Sequence, residues 1–122
     1  MTVAYTNREI GERVWGRWYV LEIGEKYVVK KITVDVGRKI SLQTHAHRNE
    51  HWVIVAGTAQ VTLGRSKIIK NPNETVFIPV SEFHRIENVG NEPLEFIEVQ
   101  TGDYLGEDDI ARFDENYQPL KA

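Results

Sequence analysis

From residue 27 onward the chain breaks into short runs of β-branched and aromatic residues, each closed after a few positions by a turn former. The runs are 27–34, 40–43, 52–56, 58–63, 67–69, 75–78, 83–88 and 94–100. Between them stand Gly37, Gly57, Gly64 with Arg65, Asn71-Pro72-Asn73, Asn88-Val89-Gly90-Asn91 and Thr101-Gly102, residues that supply a positive or a fixed φ. About eight closely spaced strands without a long helix between them restrict the fold to an all-β sandwich or small barrel. In 58–63, Ala59, Val61 and Leu63 alternate with Thr58, Gln60 and Thr62, so that strand has one dry face. Trp52-Val53-Ile54-Val55 is apolar on both faces, which makes it a central strand or one covered by a further layer such as a partner subunit. The tail, 106–117, starts acidic at Glu107-Asp108-Asp109 and continues with Ile110, Ala111 and Phe113, a spacing that reads as a short C-terminal helix with its charges at the N-terminus.

All 122 residues read as one domain, with no repeat or low-complexity linker. Fifteen basic against eighteen acidic side chains give a net charge of −3, without the basic excess expected of a protein that binds nucleic acid or an anionic membrane. Residues 1–10 lack the apolar run of a signal peptide, and no segment approaches the length of a membrane span, so a cytoplasmic location is expected. The chain has no cysteine. Disulfides, thiolate metal sites and a cysteine nucleophile are thereby excluded, and any metal must be held by nitrogen and oxygen.

Three of the four histidines, His45, His47 and His51, fall within seven residues around Glu50, and the fourth, His84, lies on a later strand. His47-Arg48-Asn49-Glu50-His51 matches the H-x-x-E-H pattern of inverted zinc proteases. That chemistry needs both histidines on one helical face, whereas this segment runs straight into the strand-like 52–56. A β spacing fits better. Gln43 and His45 leave one strand face together, Glu50 returns across the turn to meet them, and His84 joins from another strand. An amide oxygen, two imidazoles and a carboxylate suit one divalent ion, Zn²⁺ first among them, with Mn²⁺, Co²⁺, Ni²⁺ and Fe²⁺ as alternatives. Four such ligands leave positions open for substrate oxygens.

Gly37-x5-Gln43-x-His45-x4-Glu50-x6-Gly57 and Pro79-x-Ser81-x2-His84-x3-Asn88 resemble the two motifs of the cupin superfamily. These motifs span 37–57 and 79–88, with Gln43 in place of a histidine and Asn73 and Ser81 in place of glycines. Trp15-Gly16, Ser41-Leu42-Gln43, His47-Arg48-x-Glu50-His51-Trp52, Phe77-Ile78-Pro79, His84-Arg85-x-Glu87-Asn88 and the run Gly102-Asp103-Tyr104-Leu105-Gly106-Glu107-Asp108-Asp109-Ile110 further resemble the cupin domain of type II mannose-6-phosphate isomerases.

The resemblance implies a jelly-roll barrel that interconverts mannose 6-phosphate and fructose 6-phosphate with a metal on Gln43, His45, Glu50 and His84. In that family the domain follows a nucleotidyltransferase domain for which 122 residues leave no room, so guanylyltransferase activity is not expected here. The reaction needs a group to carry a proton between C1 and C2. Glu98, on one strand face with Phe96 and Gln100, and Lys31 are assigned to it, with Lys30, His47, His51 and Glu87 as other titratable groups in reach. Arg17, Arg48, Arg85 and Arg112 lie in family-like segments and are candidates for the phosphate, of which Arg85, Arg48 and Arg17 are assigned to it. Exposed barrel edges favour a homodimer. Two other readings stand beside the isomerase: a cupin isomerase or epimerase for another sugar phosphate, and a non-catalytic sugar-binding or dimerisation module. An oxygenase fits Gln43 less well, since iron that activates oxygen takes imidazole-rich or facial His-carboxylate ligands.

Overall fold

A computed structural model of the protein describes residues 5–120. Its eleven strands are Ile10–Arg13 (β1), Gly16–Ile23 (β2), Tyr27–Val34 (β3), Leu42–Thr44 (β4), Arg48–Ala56 (β5), Ala59–Leu63 (β6), Ser66–Lys70 (β7), Thr75–Ile78 (β8), His84–Asn88 (β9), Leu94–Gly102 (β10) and Ala111–Phe113 (β11). They form two antiparallel sheets, one in the order β1-β2-β3-β10-β5-β8 and the other β11-β4-β9-β6-β7. No helix occurs among the described residues, and none is long and apolar enough to cross a membrane. The ends of the expected 1–122 domain lie outside the described residues.

Strand alternation sends every second side chain inward, and the inward rows change character along their length. In β10, Leu94 and Phe96 are wholly buried and are followed by buried Glu98 and Gln100; in β5, Ile54 and Trp52 give way to Glu50 and Arg48; in β3, Val34 and Ile32 give way to Lys30. Register aligns these changes, because Phe96 pairs with Ile54 and Ile32, and Glu98 with Trp52 and Lys30. The barrel therefore has an apolar floor, closed by Val61, Ile78 and Ile86, and a polar cavity above it. Burying those apolar side chains, at about 1.5–3 kcal/mol each, is what offsets the ionisable groups held on the same strands.

The structure departs from the sequence reading at both ends. Residues 10–23 form a hairpin, β1 and β2, that two glycines and four charges disguise in the sequence. A Cβ at Gly11 would fall 2.0 Å from the Trp18 indole, and one at Gly16 (φ +147°) would fall 2.0 Å from the Thr33 carbonyl oxygen, so both glycines are there for close packing rather than to break a strand. The expected C-terminal helix is absent. Ala111–Phe113 instead adds to the edge of the small sheet against β4, and Phe113 packs edge-on against Phe83 at 4.8 Å. The run 52–55 lies between β10 and β8, and its outer side chains, Val53 and Val55, are 41% and 51% exposed. No layer among the described residues covers them.

Candidate functional site

The polar end of the barrel is a cavity of about 470 Å³. Two of its side chains, His45 and Glu50, are almost wholly buried and, with buried His84 behind them, bring their ligand atoms within 4.8 Å of one another. Glu50 faces inward from β5, His84 opens β9, and His45 directly follows β4. Each imidazole is oriented from behind: His45 Nδ1 lies 2.6 Å from the Asp109 carbonyl oxygen and His84 Nδ1 2.9 Å from that of Glu82. A carbonyl only accepts, so both Nδ1 atoms donate and both Nε2 lone pairs face the cavity. Gln43, paired across the sheet with His84, lines the same space.

Two observations test whether these residues suit a cation. His84 Nε2 is buried without any hydrogen-bond partner, in a position where an unmatched acceptor is costly. His45 Nε2 and Glu50 Oε2, both acceptors, stand 3.1 Å apart, a separation that requires positive charge beside them. Arg48 supplies it here through Nη2, 3.1 Å from His45 Nε2 and 2.8 Å from Glu50 Oε2. Two neutral nitrogens and a carboxylate, with the Gln43 amide lining the same cavity, match a divalent first-row ion.

Electrostatics keep the set ready for one. Burial alone would raise the Glu50 carboxyl, but the Arg48 guanidinium against it more than offsets this and holds Glu50 well below the usual carboxylate range. Burial lowers His84 to about 4 against the pull of Glu50, leaving it an unprotonated ligand at neutral pH. Next to this set, Glu98 is raised to about 7 by burial and by the Glu50 charge, with Lys30 opposing. Lys30 is lowered to about 8 by burial, against the pull of Glu98, and its ammonium sits 3.6 Å from the centre of the Tyr5 ring and 4.5 Å from that of Trp18. The Trp52 indole N–H is shared between Glu50 Oε1 at 3.0 Å and Glu98 Oε1 at 3.1 Å, and Gln100 Nε2 donates to Glu98 Oε2 at 2.8 Å.

The model of the mannose-6-phosphate isomerase C-terminal family matches residues 3–115. The chain belongs to that family. Among its curated relatives are the xanthan biosynthesis protein XanB of Xanthomonas campestris pv. campestris, 49% identical over 105 residues, 86% of this chain and 22% of that protein. A mannose-1-phosphate guanylyltransferase of Salmonella montevideo is 52% identical over 112 residues, 92% of this chain and 24% of that protein. The chain thus spans about a quarter of the length of these relatives. By structure it resembles the Cnp3 cupin domain of Schizosaccharomyces pombe, with a TM-score of 0.72 at 16% identity over 83% of this chain and 74% of that one. It also resembles the oxalate decarboxylase OxdC of Bacillus subtilis, with a TM-score of 0.71 at 24% identity over 80% of this chain and 29% of that one. At such identities the likeness establishes the fold, an all-β cupin barrel, as the sequence implies.

In this mannose-6-phosphate isomerase C-terminal domain three of the side chains expected to ligate, His45, Glu50 and His84, come together, and Gln43 lines the adjoining cavity. Glu98 also faces the cavity. Lys31 does not: alternation turns it outward, where it pairs with Glu95 at 3.5 Å and lies over Tyr19, while its neighbour Lys30 points inward. Arg17 is on the outer face as well, 3.5 Å from Glu12. Arg48 lies inside but is committed to Glu50 and His45. Arg85 reaches the cavity wall, and its guanidinium is bound to both Glu115 oxygens, at 2.8 and 3.0 Å, and to the Ile40 carbonyl. Of the other titratable groups, His51 stacks on Phe77 at the outer surface and His47 is exposed beside Tyr104.

One residue acquires a role the sequence reading did not give it. Asp109, read as helix N-terminal charge, is buried and takes the N–H groups of Ala46 and His47 on its two carboxylate oxygens at 2.8 and 2.9 Å, while its carbonyl orients His45. It clamps the ligand loop 45–47. Only the position of the acidic run inside the family-like segment 102–110 hinted at this, since a carboxylate meant for a distant loop looks in sequence like any surface charge.

Proposed function

We propose that this domain is a metal-dependent aldose–ketose isomerase that interconverts mannose 6-phosphate and fructose 6-phosphate. One observation carries the reading: a buried His45–Glu50–His84 set with a vacant nitrogen lone pair stands beside a second buried carboxylate, Glu98, in a cavity large enough for a sugar phosphate. A divalent ion held by these residues and Gln43 would supply positive charge to the C1 and C2 oxygens of the substrate as negative charge develops there.

The chain's own residues account for the rest. Glu98, as carboxylate, takes the proton from C2 of the open-chain aldose and returns it to C1, while the hydroxyl proton passes from O2 to O1. The net change is the shift of two hydrogens and no change in composition. Trp52 and Gln100 fix both Glu98 oxygens by hydrogen bonds, so the base is positioned before substrate arrives. Lys30 keeps a positive charge facing this carboxylate, and the Trp18, Phe96 and Ile32 walls keep water from the reacting carbons.

The test is formation of fructose 6-phosphate from mannose 6-phosphate by protein stripped with chelator and refilled with Zn²⁺, Mn²⁺, Co²⁺, Ni²⁺ or Fe²⁺. Turnover that depends on metal and disappears in His84→Ala supports the isomerase. Absence of turnover with every metal, in protein that still binds the sugar phosphate, would overturn it in favour of a binding module.

A further inference from the structure

Six cationic side chains line the cavity: Arg13, Lys30, Lys39, Arg48, Arg85 and Arg112. Five of them are engaged. Arg48 is held by Glu50, and Arg85 by Glu115. Lys39 shares that Glu115 carboxylate at 3.9 Å. Arg13 faces Glu107 at 4.0 Å and lies over the Trp18 ring, and Lys30 sits over Tyr5 and Trp18. Arg112 has no ion pair, hydrogen bond or ring partner among the described residues, and it is exposed at the cavity rim.

Its backbone, by contrast, is fixed. Arg112 pairs with Gln43 across β11 and β4, and its carbonyl accepts the Leu120 N–H at 2.9 Å from the other side. Gln43 pairs in turn with His84, so Arg112, Gln43 and His84 form one cross-strand row. Side chains of directly paired residues share a sheet face, and this row faces the cavity. Two strand gaps of about 4.8 Å put the Arg112 backbone roughly 10 Å from that of His84. An open-chain six-carbon sugar phosphate spans about 7 Å from C2 to phosphorus, six bonds of about 1.5 Å in zigzag. A substrate with its carbonyl end at the His45–Glu50–His84 set would therefore carry its phosphate to the guanidinium.

We infer that Arg112 anchors the phosphate of the substrate, resting on the isomerase reading for the substrate class, and that Arg85 instead latches the C-terminal segment through Glu115. An arginine fork matches two phosphate oxygens, and only a guanidinium without an internal partner can present it without first breaking an ion pair.

The experiment is calorimetric binding of fructose 6-phosphate to the Zn²⁺-loaded protein, with KM and kcat measured in parallel, for wild type, Arg112→Gln and Arg85→Gln. Loss of one charge-assisted contact predicts about ten- to hundredfold weaker binding for Arg112→Gln, a KM raised to match, kcat little changed and an unaltered affinity for Zn²⁺. Arg85→Gln should change binding by no more than about twofold while lowering Tm, since it releases the tail. Wild-type affinity in Arg112→Gln, or an equal loss in Arg85→Gln, overturns the assignment even if turnover is intact. Sugar-phosphate binding that is lost in Arg112→Gln in a protein without turnover would sustain the anchor and overturn the isomerase alone. Failure of wild type to bind any phosphorylated sugar overturns both.

Discussion

Replacing Lys30 with methionine removes a charge that the fold keeps at a loss. Lys30 is 5% exposed, and burial takes its pKa from 10.5 to about 8 against the pull of Glu98. Because the folded-state value is the lower one, the unfolded chain holds the proton more tightly between about pH 8 and 10.5. Stability therefore rises with pH across that window, and the full penalty applies below it. At about 1.4 kcal/mol per pH unit the interval amounts to about 3 kcal/mol. Methionine keeps most of the stem's packing but gives up the ammonium over Tyr5 and Trp18, about 0.5–2 kcal/mol. It also leaves Glu98 without the charge that most opposes its burial. The expected net gain for Lys30→Met at pH 7 is about 1–2 kcal/mol, or roughly 5 °C in Tm for a domain of this length. Thermal unfolding followed by circular dichroism, on metal-free wild type and variant at pH 7 and pH 9.5, measures it. The gain should shrink at pH 9.5, where wild type has shed much of its own penalty. A variant less stable than wild type at pH 7, or a difference that does not change with pH, would refute the reasoning. The same variant should have little isomerase activity, so that gain of stability and loss of turnover come from one side chain.

Two further substitutions probe the surroundings of the site. Asp109→Ala deprives Ala46 and His47 of their hydrogen-bond acceptor and should weaken Zn²⁺ binding by about ten- to hundredfold in competition with a chelating dye, whereas Asp108→Ala, one residue earlier and exposed, should leave it unchanged; equal effects would mean that charge rather than the clamp matters. Ser81 has a φ of +69°, a conformation that disfavours side chains by about 1–2 kcal/mol, so Ser81→Gly should raise the unfolding free energy by up to about 1 kcal/mol after the added chain entropy is subtracted, seen as a higher urea midpoint at constant m-value. A lower midpoint would show that the serine side chain contributes more than the backbone strain removes.

How much of this could be read in the sequence follows from what alternation reveals and what it hides. The eight runs from residue 27 onward all correspond to strands, because β-branched residues and turn glycines mark strands locally. Asn73 and Ser81, which stand where the resembled family has glycine, both have positive φ, so the motif located two strained turns. Gln43 and His45 were legible as neighbours from their spacing of two, and Glu50 and His84 from their places in the two motifs. Lys30 and Lys31 were not separable: both sit in one run of alternating sequence, and only the pairing of Lys30 with Glu98 says which of the two faces inward. Arg48 and Arg85 read as free cations, since their partners Glu50 and Glu115 are carboxylates like any others until the chain folds. The tail showed helix-like spacing over too few residues to outweigh an open sheet edge at β4.

The order in which the barrel's parts emerge during synthesis has a consequence of its own. The strand at the middle of the large sheet, β10, is the last of that sheet in the chain, and its partners β3 and β5 precede it by some forty to seventy residues. Until Leu94–Gly102 has been made, β3 and β5 each lack their common neighbour, and Glu50 faces no Glu98. Asp109 comes later still, and Arg112 is the last residue of the cavity. A nascent chain that has exposed His45, Glu50 and His84 thus already carries three candidate metal ligands but neither the strand that aligns them nor the carboxylate that locks their loop. A metal ion should accordingly be held firmly only once 94–109 have been made and folded, and a chain lacking β10 and β11 would be an open sheet with a sticky central gap.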